Sequence, residues 1–139
     1  IIFDVDQYHN LKIEEVKTTS GKEISYSINK TMLRINLEKP LDSKGVMSFS
    51  VKWWYNINDR MKIGGRSGFE HFKENNNYLY TIAQWFPRMC VYSDVEGWQN
   101  KQFLGRGEFA LPFGDYEVSI TVPADHIVLY LDSLPSNVS

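Results

Sequence analysis

Hydrophobic and polar residues alternate with a period of two along much of this chain, the spacing that turns one face of a β-strand to a core and the other to water. In "EISYSI" Ile24, Tyr26 and Ile28 share one face against Ser25 and Ser27, and in "TMLRINL" Leu33, Ile35 and Leu37 oppose Arg34 and Asn36. The Asn29 to Lys30 step between the two runs suits a tight hairpin. The Pro, Asp, Ser and Gly of "KPLDSKG", residues 39 to 45, predict a turn. Beyond it Met47, Phe49, Val51, Trp53 and Tyr55 alternate with Ser48, Ser50 and Lys52 as one long strand. Tyr116, Val118, Ile120 and Val122, interleaved with Glu117, Ser119 and Thr121, predict another that ends at Pro123. The opening "IIFDV" also reads as a strand. No window of comparable length carries the 3.6-residue spacing of an amphipathic helix, so the pattern predicts an all-β fold, an antiparallel saddle-like sandwich of two packed sheets in a single domain over residues 1–139.

One stretch escapes the pattern. "NDRMKIGGRSGFEHFKENNN", residues 58 to 77, holds three glycines and three consecutive asparagines and reads as a long irregular loop, the kind that usually carries function. Adjacent residues of a strand point to opposite faces, so one of Trp53 and Trp54 belongs to the core and the other faces solvent, a second layer or a partner.

Composition narrows the function. Fifteen Lys and Arg against seventeen Asp and Glu leave a net charge of -2 with no basic block, which argues against a nucleic-acid partner. No stretch approaches the roughly 20 apolar residues of a membrane-spanning helix. The single cysteine, Cys90, excludes an internal disulfide and any cysteine-based zinc site. In "MCVY" it reads as a small buried hydrophobe, although Arg88 nearby would stabilise a thiolate.

Candidate chemistry is thin. His9, His71 and His126 are scattered, and no H-E-x-x-H pair sets two imidazoles on one helical face. His71 with Glu70 and Glu74 is the nearest approach to a ligand cluster, and it sits in the glycine and asparagine stretch. Asp94 with Glu96, and Glu108 with Asp115, are carboxylate pairs in sequence, but acid–base work needs environments that push the two pKa values apart. "GRGEF" and "GGRSG" read as turns, since neither lies between a strand and an amphipathic helix as a phosphate loop requires.

A denser signal lies in "YTIAQWFPRMCVYSDVEGWQNKQFLGRGEFALPFGDYEVSITVPADHIVL", residues 80 to 129. Gln84, Trp85, Phe86, Pro87, Arg88 and Met89, then Gly97 and Trp98, Phe103, Leu104 and Gly105, Glu108 and Phe109, Gly114 and Asp115, and "ITVPAD" resemble the second half of the N-terminal β-domain of M1-family zinc aminopeptidases, in the bacterial subgroup with a Q-W-F/Y-P signature. Residues 11 to 57 are similar to its first half, in features that a generic β-domain would share. After "ADHIVL" the chain reads "YLDSLPSNVS", where a family member would continue through an alanine, threonine and glycine turn.

The resemblance implies a noncatalytic domain that caps a thermolysin-like catalytic domain, in cis or in trans, and helps shape the entrance for the N-terminus of a peptide substrate. It implies that zinc belongs to that catalytic domain and that this chain, which lacks the H-E-x-x-H and G-x-M-E-N motifs, holds no cofactor and hydrolyses nothing alone. It assigns Gln84 to the pocket for the first substrate side chain, where an amide can donate and accept without burying a charge. Trp85, Phe86, Pro87, Arg88, Gly97 and Trp98 become a structural corner, with Arg88 paired to a carboxylate such as Asp94. Many relatives in the subgroup are exported, which implies a periplasmic location. The alternative is a free-standing carbohydrate- or peptide-binding β-sandwich module that uses Trp54, Trp98 and the 58 to 77 stretch. Sheet edges normally covered by a catalytic domain would, if bare, invite pairing between chains.

Overall fold

The alternation around Leu33 seeds the observed architecture. The computed structural model describes residues 1–4, 11–65, 67–83, 85–102 and 112–129. Its strands are β1 (Ile2–Asp4), β2 (Lys12–Thr18), β3 (Tyr26–Asn29), β4 (Met32–Ile35) and β5 (Phe49–Trp54), then a single helical turn, α1 (Arg60–Ile63), then β6 (Gly68–Phe72), β7 (Asn77–Thr81), β8 (Arg88–Met89), β9 (Tyr92–Ser93) and β10 (Gly97–Trp98). Every pair of these strands is antiparallel, so the all-β expectation holds. One sheet has the order β3-β4-β1-β8, and β2–β5, β6–β7 and β9–β10 form two-stranded ribbons. Among the described residues no helix is long and apolar enough to cross a membrane.

The hairpin falls one residue later than the Asn29 to Lys30 step suggested. Asn29 still pairs with Met32, leaving Lys30 and Thr31 as the loop, with Lys30 taking the left-handed φ of 54°. Gln102 clamps this tip from a distant part of the chain: its Oε1 accepts from the Thr31 hydroxyl at 2.9 Å and its Nε2 donates to the Asn29 carbonyl at 3.2 Å.

The β2–β5 ribbon lies across one face of the sheet. Val16 of β2 meets Leu33 and Ile35 of β4, and Phe3, Ile13, Tyr26, Phe49 and Val51 close around them. Phe3 meets Phe49 edge-on with ring centroids 5.7 Å apart. Ile13 and Val16 are three positions apart, a spacing that a regular strand would send to opposite faces. A register shift between Ile13 and Glu15 restores both to the inner face, which is what a β-bulge does. On the far side of β4, Met32 is buried against Cys90, with sulfurs 3.9 Å apart, so the lone cysteine packs as the small hydrophobe that its sequence context suggested.

Three sequence expectations need correction. The stretch 58 to 77 is not an irregular loop: it contains α1 and most of the β6–β7 hairpin, which turns through residues 73–76 with Asn76 at φ 54°. The strand expected from Met47 begins only at Phe49, where pairing to Thr18 starts, and ends at Trp54. Residues 116 to 122 alternate as expected but form no strand, and Tyr116 and Ile120 stay 66% and 54% exposed. Alternation makes a strand only where a neighbouring backbone supplies the ladder.

Candidate functional site

The inward face of β5 begins the site. Phe49, Val51 and Trp53 point to the core side and Trp54, 49% exposed, to the other, resolving the choice between the two tryptophans. Trp53 stacks on Trp85 with centroids 6.2 Å apart and planes 29° apart, and its indole Nε1 donates to the Trp85 carbonyl at 3.0 Å. Trp85 meets Phe86 edge-on at 5.2 Å, and Phe86 meets Tyr116 edge-on at 5.8 Å. Four aromatic rings thus tie the Trp-Phe-Pro corner to β5 on one side and to the segment 112–129 on the other.

Gln84 lies outside the described residues, but both its neighbours are anchored. The Ala83 amide donates to the Ser67 hydroxyl at 3.1 Å, and that hydroxyl lies 3.1 Å from the Thr81 carbonyl. Trp85 is held by Trp53 as described. Below them, Arg60 reaches from α1 to the Glu70 carboxylate, Nε to Oε1 at 3.1 Å, and bonds the Thr81 hydroxyl at 3.4 Å. This clamp from the first turn after β5 to β6 and β7 fixes the approach to the corner.

The residues assigned to the corner fall into two groups. Trp85, Phe86 and Pro87 lead into β8, where Arg88 stands opposite Asp4 and Met89 opposite Phe3 at the edge of the sheet. Gly97 and Trp98 belong to the β9–β10 ribbon, where Trp98 packs edge-on against Tyr92 at 5.3 Å and Gly97 takes φ 70° after the turn. Asp94 and Glu96 sit exposed in that turn, with Glu96 4.0 Å from Lys101. His9 and Glu108 lie outside the described residues.

A second aromatic surface had no clear sequence signal. The register of β6 and β7 puts Phe69, His71, Tyr78 and Tyr80 on one face. His71 stacks on Tyr78 at 4.4 Å, Tyr78 and Tyr80 are near parallel at 6.3 Å, and His126 packs on Tyr80 at 5.8 Å. His71 donates from Nε2 to the Asn76 side chain at 3.0 Å, while Glu70 on the opposite face is committed to Arg60. This separates His71 from Glu70, which the sequence had placed in one candidate cluster, and among the described residues no group of three His, Cys, Asp or Glu is placed to hold a metal ion.

The Asp125 carboxyl is held below the usual carboxylate range by its hydrogen bond from His126, and Glu15 is held low by its bond from Lys17; both lie on the surface. Burial pushes the Tyr55 phenol above its ordinary value, so it stays neutral.

Trp53→Phe is expected to lower unfolding stability by about 1–2 kcal/mol, the sum of one lost hydrogen bond and a weakened stack. Trp54→Phe, on the open face, changes it by about 0.5 kcal/mol or less. Urea unfolding of the two variants, followed by circular dichroism, checks the contrast. Equal effects would mean that the Trp53–Trp85 contact does not hold the corner.

Comparison of the chain with protein-family models, with curated proteins and with solved structures found no match.

Proposed function

We propose that this chain is a noncatalytic β-domain of an M1-like zinc aminopeptidase, which caps a separate catalytic domain and contributes Gln84 to the substrate entrance of an exported enzyme. The observation that carries the reading is the anchoring on either side of position 84: Ala83 through Ser67, and Trp85 through Trp53. A side chain that lines a pocket for a substrate's first residue must be held from rigid neighbours, because small displacements of a positioning group cost large factors in rate. The Q-W-F-P run supports the family, and zinc chemistry would come from the catalytic domain, whose motifs this chain lacks.

The test is hydrolysis of a panel of aminoacyl chromogenic substrates by an M1 catalytic domain with and without this chain. The capping domain is expected to change the ranking of substrates. Gln84→Ala then shifts relative kcat/KM within the panel by about fivefold, the worth of one hydrogen bond of about 1 kcal/mol. A ranking that is the same in all three samples sinks the proposal.

The exposed row of His71, Tyr78 and Tyr80 favours a second reading, a module that grips sugar or peptide on this face rather than through Trp54 and Trp98. Calorimetric titration with oligosaccharides and short peptides separates the two: binding lost in Tyr78→Ala, with no effect on any catalytic domain, selects the module.

A further inference from the structure

We draw no further inference here: the strongest candidate, the exposed aromatic row of His71, Tyr78 and Tyr80 on the β6–β7 hairpin with His126 packed against Tyr80, belongs to the surface already described, and nothing among the described residues shows what covers it.

Discussion

Leu33→Ala lowers the stability of this domain by about 3 kcal/mol, within the range for buried leucines whose surroundings relax only partly into the space left behind. Leu33 is 0% exposed and sits where β4 meets the β2–β5 ribbon, against Val16 and Ile35 with Phe3, Phe49 and Val51 around them. Only five hydrophobic residues are buried among the described residues, so each supports a large share of the total. Small domains are stable by only about 5–15 kcal/mol, and a loss of this size moves the urea midpoint far toward water with little change in slope. Leu33→Met keeps the volume and costs about 1 kcal/mol. Leu41→Ala, at a site 48% exposed, costs about 0.5 kcal/mol. If Leu33→Ala were no worse than Leu41→Ala, the ribbon would not be packing on β4.

Gly68→Ala is the second large effect, expected at about 3 kcal/mol, and its cause is backbone geometry rather than burial. Gly68 opens β6 at φ 142°, a conformation that L residues rarely adopt, and an added Cβ would lie 2.5 Å from the Asn58 carbonyl oxygen. That carbonyl accepts the Phe69 amide at 2.8 Å, and Asp59 bridges Phe69 beside it, so relieving the clash opens the joint between the chain leaving β5 and the β6–β7 hairpin. Gly21→Ala is the control. Gly21 also has positive φ, 82°, but nothing lies within 4 Å of its Cβ position, so only the conformational cost of about 1 kcal/mol applies. Unfolding curves of the two variants separate clash from conformation. Equal losses would show that the Asn58 carbonyl is free to move aside. In Gly68→Ala the Tyr78 and Tyr80 amides are also expected to exchange faster with solvent, because the hairpin loses its tie to Asn58.

Much of the sheet was legible in the sequence because its pattern is local. Leu33 and Ile35 alternate with Arg34, and each lies on the face that the alternation assigns. The turn in "KPLDSKG" closes with the Gly45 amide on the Asp42 carbonyl at 2.9 Å, as its residues suggest. The β6–β7 hairpin was hidden for a physical reason: Phe69 and Phe72, like Tyr78 and Leu79, put apolar groups on both faces, and a two-faced strand has no period to detect. β2 was obscured by its bulge, which converts the three-residue spacing of Ile13 and Val16 into one buried face.

The candidate site divides along the same line. The Q-W-F-P run drew attention to the corner from sequence alone, and the chemistry of each side chain there is local. What Trp85 touches is not: its partner Trp53 is 32 residues away, and the Ser67 hydroxyl that holds Ala83 belongs to the entry of a different strand. The aromatic row depends on the register that sets His71 beside Tyr78 and on a distant His126 reaching Tyr80. By itself the sequence determined that this chain is built of antiparallel strands around Leu33 and Ile35, because side-chain alternation is a property of consecutive residues. The tertiary structure alone decided which alternating segments found a ladder: β3 and β4 did through a two-residue loop, and residues 116 to 122 found none among the described residues, because pairing depends on where a distant backbone lies.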